Sequence, residues 1–171
     1  VAAHHGNELL STEFVLDIIH QLTTSHDDDP KVREWLDRYE IWCIPLANPD
    51  GCHRHFHVAL AGRKNGRDNN SNGLNDYTDG VDLNRNWDCE WQSEALWGHN
   101  PVSGGAAPFS EPETIALRDY FLEIEPAAVL FWHSAAAGVF PAGCGYIGPV
   151  SAVLANSYRS AAGYESSNDR F

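Results

Sequence analysis

Apolar positions recur at helical spacing in the first quarter of the chain. Leu10, Phe14, Ile18 and Leu22 lie four apart, with Val15 and Ile19 beside them, which predicts a helix over about residues 8–23. Val32, Trp35, Leu36 and Tyr39 predict a short second helix after the polar loop "HDDDP" (26–30). Two other stretches are apolar throughout: "IWCIPL" (41–46) and "AAVLFWH" (127–133) read as buried strands. "NPDG" (48–51) between them reads as a turn, because Pro and Gly both punctuate it. Residues 62–80 are rich in Gly, Asn and Asp and read as loop. "SEPET" (110–114) opens a helix running to about Glu123, with Ser110 as cap and Glu113 three residues on as a capping box. "PVSAVLANSYRSAAG" (149–163) fits a last helix. Strands alternating with helices imply an α/β fold built on a mixed, largely parallel twisted sheet flanked by helices. In such a sheet, sites gather at the strand ends.

Composition adds exclusions. The chain has 171 residues, 43% of them apolar, enough for one domain with a core. Its net charge of −13 argues against nucleic acid and anionic membranes as partners. No stretch approaches the roughly 20 apolar residues of a membrane helix, and "VAAHHG" lacks the features of a signal peptide. The chain has no Met, opens in what reads as a strand and ends at "SSNDRF", so it reads as a piece of something longer, one partial domain over 1–171. Cys43 lies in an apolar run and reads as a buried thiol. Cys89 and Cys144 lie in loops and could pair, which would imply secretion.

The chemistry starts at "HHGNE" (4–8). His5 and Glu8 form a His-x-x-Glu pair, and imidazole with carboxylate suits zinc. A third ligand of the right kind, His133, closes the apolar strand "AVLFW". Together these give the two-histidine, one-glutamate set of a catalytic zinc site. "GVDLNRNW" (80–87) adds Asp82, which could hold the second nitrogen of a ligand histidine. It also adds Asn84 and Arg85, a donor pair suited to a carboxylate. Two further stretches suggest other metals. "DNNSNGLNDYTD" (68–79) places Asp68, Asn70, Asn72, Gly73, Asp76 and Asp79 at positions 1, 3, 5, 6, 9 and 12 of a calcium-type loop. "HRHFH" (53–57) puts His53, His55 and His57 on one face if extended, a possible second metal site or an exposed loop.

Six elements now stand in order: "HGNE", "NPDG", "RKN" (63–65), "VDLNRNW", "PFSEPET" (108–114) and "FWHS" (131–134). In that order the chain resembles the zinc metallocarboxypeptidases of the carboxypeptidase A/B type, most closely the secreted bacterial members. The resemblance implies one zinc ion on His5, Glu8 and His133, with Asp82 orienting His5. It implies that Asn84 and Arg85 hold the C-terminal carboxylate of a peptide, and that Arg63 stabilises the oxyanion formed at the scissile carbonyl. Gly62 stands where the family has Trp, and Arg67 is a rival for the Arg63 role. The family's general-base glutamate and closing tyrosine are expected beyond Phe171: Tyr146, Tyr158 and Tyr164 come too early, and Glu165 follows the third ligand too closely. The implied partners are peptide and protein C-termini, acted on by a secreted or periplasmic monomer. Alternatives are an N-acyl amino acid deacylase of the aspartoacylase or succinylglutamate desuccinylase type, a murein-peptide hydrolase, a non-catalytic zinc- or carboxylate-binding pseudoenzyme, and a calcium-stabilised extracellular module.

Overall fold

The structure is a computed structural model that describes residues 1–57, 62–74, 76–134 and 138–164. Glu165 lies outside the described residues. The elements run α1 (Leu9–Thr24), α2 (Pro30–Arg38), α3 (Pro49–His57), a 3-10 turn (Leu83–Arg85), β1 (Glu94–Trp97), β2 (Asn100–Ser103), α4 (Pro112–Ile124), β3 (Gly143–Cys144), β4 (Tyr146–Ile147) and α5 (Pro149–Ala162). Two compact units result: residues 1–87 with 91–134, and residues 88–90 with 135–171. The second unit holds α5 and the short β3–β4 hairpin, and a disulfide joins Cys89 to Cys144 with Cα atoms 5.2 Å apart. No described helix is long and apolar enough to cross a membrane.

All four helices expected from the periodicity form. α1 buries Ser11 and Val15, while Leu10 and Phe14 stay exposed, so its inner face is rotated from the 10/14/18/22 stripe. α2 starts as its sequence dictates: the Asp29 side chain accepts from the Lys31 amide, and Pro30 occupies the first turn, where its missing N–H is no loss. Around these helices the structure corrects several expectations. "NPDG" is the start of α3, not a free turn. The Asn48 side chain accepts from the Gly51 amide at 2.8 Å, and Pro49 is the first helical residue. An Asn-Pro pair caps a helix as readily as it makes a turn. "HRHFH" is therefore helical, so His53 and His57 lie one turn apart with tilted rings whose centroids are 4.6 Å apart, and His55 faces elsewhere.

The capping box of α4 does not form. Ser110 Oγ donates to Glu111 Oε1, and Glu113 accepts from the Asn65 side chain. The two proposed partners are each drawn to a buried neighbour.

The apolar stretches are a further correction. Residues 41–46 and 127–133 do not form buried strands. Trp42, Leu130 and Phe131 are exposed, and Cys43 is a half-buried free thiol. Both stretches run beside Val1–Ala3. The Val1 ammonium donates to Leu130 O, Trp132 N to Val1 O, Ala2 N to Ile44 O and Ala47 N to Ala2 O. Ala2 and Trp132 form a parallel bridge. Three residues give too short a ladder for strands, and one apolar face of each stretch stays uncovered among the described residues. Hydrogen-bonded strands occur instead at β1–β2, an antiparallel hairpin with Trp97 opposite Asn100. Its two-residue loop begins at Gly98, whose φ of +60° only glycine adopts without strain.

Candidate metal centre

The interior is more polar than apolar. Twelve polar or charged residues are buried among the described residues, against nine apolar ones, and the polar set centres on His5 and Asp82. The local chain explains the pair in "HHGNE". The Glu8 amide donates to His5 O at 3.0 Å, closing a turn that puts both side chains on one side. Ser11 N and Ser11 Oγ both donate to Glu8 O, so α1 starts at once behind that turn. Gly6 packs against the backbone of Gly51 and Cys52 at the start of α3; a side chain at Gly6 would collide with it. Asn48 locks the same corner, donating to His4 O at 3.1 Å.

Ligand atoms of His5, Glu8 and His133 all lie within 4.8 Å of one another, and theirs is the one such group of three or more among the described residues. Glu8 Oε1 lies 2.9 Å from His5 Nδ1, and Glu8 Oε2 lies 2.8 Å from His133 Nδ1. The two Nδ1 atoms are 3.2 Å apart. His133 reaches the site because Trp132 is bridged to Ala2, and Ser134 N also donates to Glu8 Oε2 at 3.3 Å. His5 Nε2 lies 3.2 Å from Asp82 Oδ1. A carboxylate only accepts, so the Asp82 contact puts a proton on Nε2, while Nδ1 faces the site between Glu8 Oε1 and His133 Nδ1.

Charge is balanced along the same line. Burial disfavours charge on His5, but its bonds to Asp82 and Glu8 outweigh burial and raise its pKa. Burial would raise Glu8, yet the bonds from His133 and His5 bring it down to about 2. Asp82, fully buried, is likewise held well below the usual carboxylate range by His5 and Arg63 despite its desolvation. His4 goes the other way. Burial, then the neighbouring His5 and His133, lower its pKa to about 3. Trp87 Nε1 donates to His4 Nε2 at 3.3 Å, so the proton of neutral His4 sits on Nδ1, which has no partner among the described residues.

Arg63 is buried, its Nε donating to Asp82 Oδ2 at 2.8 Å and its Nη1 lying 3.4 Å from His5 Nδ1. Its Nη2 is buried without a partner among the described residues. Arg67 is 45% exposed in its side chain and turns to Glu111 at 3.4 Å, away from Asp82. Asn84 and Arg85 sit in the 3-10 turn that Asp82 caps. The Asn84 side-chain amide forms no hydrogen bond within the described residues. Arg85 Nε donates to Leu96 O at 3.1 Å and Nη1 to Asn84 O at 3.0 Å.

The 68–79 loop is arranged differently. Asp68 accepts from the amides of Asn72 and Gly73, Asn70 from Asn72, Asn72 from Leu74, Asp76 from Thr78, and Asp79 from Asn69 and Asp76. These side-chain oxygens serve the loop's own backbone.

Sequence reasoning missed a second layer. Asn65 donates to Glu111 Oε2 at 2.8 Å and accepts from Val81 N; Asn86 donates to Gly104 O at 2.7 Å and accepts from Thr114 Oγ1 at 2.6 Å. Both, with Asn48, stand inside the quoted motifs, where an Asn repeatedly follows or precedes an Arg, Lys or Pro. The signal was present but indistinguishable from turn chemistry.

Comparison with known proteins adds the lineage. The family model for zinc carboxypeptidase matches residues 1–149. The chain belongs to the zinc carboxypeptidase family. A zinc carboxypeptidase of Saccharothrix mutabilis subsp. capreolus is 36% identical over 87 residues, 51% of this chain and 19% of that protein. An inactive metallocarboxypeptidase of Ajellomyces dermatitidis is 29% identical over 122 residues, 70% of this chain and 20% of that one. The crystal structure of thrombin activatable fibrinolysis inhibitor superposes with a TM-score of 0.68 at 23% identity, over 81% of this chain and 35% of that one. The fold class is thus the α/β carboxypeptidase fold. The chain spans about a fifth of the length of these two curated relatives.

Proposed function

We propose that this chain is part of the catalytic domain of a secreted, zinc-dependent metallocarboxypeptidase that removes C-terminal residues from peptides and proteins. The observation that carries the reading is the convergence of His5 Nδ1, His133 Nδ1 and the Glu8 carboxylate, backed by buried Asp82. Two imidazoles and one carboxylate fit zinc with an open position. Bound there, zinc would supply Lewis acidity to a carbonyl and lower the pKa of a water. The chain's own groups do the rest. Asp82 keeps the His5 proton on Nε2 and so fixes which nitrogen faces the site. Asn84 and Arg85 take the terminal carboxylate with a neutral amide and a charged fork. Arg63, anchored through Nε to Asp82, supplies a guanidinium charge for the oxygen on which charge develops. The Cys89–Cys144 disulfide supports an oxidising compartment.

The test is zinc content per chain with His5→Ala as control, followed by cleavage of matched peptides with free and amidated C-termini by the full-length protein. One zinc, lost in the variant, and cleavage of the free peptide alone are the expected results. Equal cleavage of both peptides would overturn the roles of Asn84 and Arg85. A second reading is a pseudoenzyme that binds zinc and carboxylate without turnover. The inactive relative favours it. It predicts zinc and peptide binding with no product. Neither reading draws on calcium.

A further inference from the structure

The β1–β2 hairpin touches both arginines of the proposed site through consecutive residues. Leu96 O accepts from Arg85 Nε at 3.1 Å, and the Trp97 ring lies under the Arg63 guanidinium, with Cζ 4.6 Å from the ring centroid. Strand alternation makes this possible. Ala95 is buried and Trp97 shares its face, while Leu96 points outward and leaves its carbonyl at the edge. The hairpin is itself fixed to the site. Ser103 O accepts from Asp82 N at 2.9 Å, and Gly104 O accepts from both Trp91 Nε1 and Asn86 Nδ2. Its ends are therefore tied to the residues that flank the 3-10 turn on either side.

We infer that this hairpin aims both guanidinium groups, with Trp97 the positioning residue for Arg63 and the Leu96 carbonyl that for Arg85. The inference rests on the carboxypeptidase reading for its consequence, though not for its geometry. A free arginine side chain carries about 2 kcal/mol of rotamer entropy, which must be lost before its fork can grip a ligand. Arg85 has lost it in advance. Nε and Nη1 are bonded to Leu96 O and Asn84 O, which sets the plane. Arg63 is held along one edge by Asp82 and across one face by Trp97, with Nη2 buried and unpartnered among the described residues. Trp97 is 46% exposed, so its indole adds little to the core, and its contact with Arg63 gives it a use at the site.

The test compares Trp97→Leu with Trp97→Phe in the zinc-loaded protein. A face-on aromatic contact with a partly desolvated cation is worth enough to shift a rate by about tenfold. Trp97→Leu should lower kcat about tenfold on a free-carboxylate peptide, with KM nearly unchanged because Arg85 still holds the carboxylate. Trp97→Phe should recover most of that loss. The second readout needs neither metal nor turnover. The Arg63 Nε–H resonance should be a distinct, ring-shifted signal in the wild type and in Trp97→Phe, and should lose that shift and broaden in Trp97→Leu. An unchanged Arg63 signal in Trp97→Leu, or equal kcat loss in both variants, would overturn the inference. A wild type that neither cleaves nor prefers a free carboxylate, yet shows the Arg63 shift and its loss in Trp97→Leu, would sink the carboxypeptidase reading and leave the positioning role standing.

Discussion

The His5–Glu8–His133 group and the 68–79 loop are both dense in metal-ligand chemistry, yet they spend it differently. In the loop, the Asp68, Asn70, Asn72, Asp76 and Asp79 oxygens accept from backbone N–H groups of the loop itself. Those bonds hold the turns, and no described group of three or more acidic, histidine or cysteine ligands gathers there. At the site, the ligand atoms come from residues 5, 8 and 133 and gather within 4.8 Å, while the other ring nitrogen of His5 is held from behind by Asp82. A metal site is recognised by lone pairs that converge after the local backbone has been satisfied by other groups. Residue types at suitable spacing do not suffice.

The sharpest way to break the contrast is His133→Ala. One of three ligands is lost, and zinc affinity should fall by well over the roughly 10- to 100-fold typical of a supporting residue. Competition with a chelator measures it, and retention of wild-type affinity would mean that the three residues are not the ligand set. Asp82→Asn comes next. The amide keeps the shape but no longer fixes the His5 proton by charge, so affinity should drop about 10- to 100-fold. A drop confined to melting temperature, with affinity intact, would make Asp82 merely structural.

What could be read from the chain, and what could not, follows the same division. The helices were legible because their periodicity is local, and the gathering of His5, Glu8 and His133 because "HGNE" and "FWHS" carry their chemistry in the open. The buried strands at 41–46 and 127–133 were misjudged because an apolar run reports a wish to be covered, not what covers it. "NPDG" was misjudged because a cap and a turn begin with the same residues. The hairpin went unread: "EALWGHNPVS" has no run of β-branched residues, and its sign was the lone Gly98 between two short stretches. Arg63 could be placed in the site from its motif, but its dependence on Asp82 and Trp97 joins residues 63, 82 and 97 and is invisible along the chain.

A pH titration separates the groups behind the ligands. Burial, with His5 and His133 nearby, holds the His4 pKa at about 3, against an ordinary value near 6.5. Between those values the unfolded chain binds a proton that the folded chain refuses. The His4 contribution to stability is therefore complete above about pH 6.5 and falls as pH drops toward 3. Glu8, held at about 2, adds its own loss only below about pH 4.5, with the same sign. In metal-free protein, His4→Leu should flatten the melting-temperature slope between pH 6.5 and 4.5 and leave the steeper loss below 4.5. An unchanged upper slope would mean that His4 is not buried as a neutral ring.

The smallest effect belongs to the loop. Asp68 caps the amides of Asn72 and Gly73 from a half-buried position, so Asp68→Ala should cost about 1 kcal/mol. The decisive measurement is that cost with and without calcium. If the carboxylate works only on its own backbone, melting temperature falls equally in both conditions, and calcium moves the wild type by no more than a nonspecific salt effect. A wild-type shift on adding calcium that Asp68→Ala removes would mean that the amide bonds yield to an ion. The loop would then resemble the zinc group after all, with oxygens that can converge once a cation compensates the backbone they release.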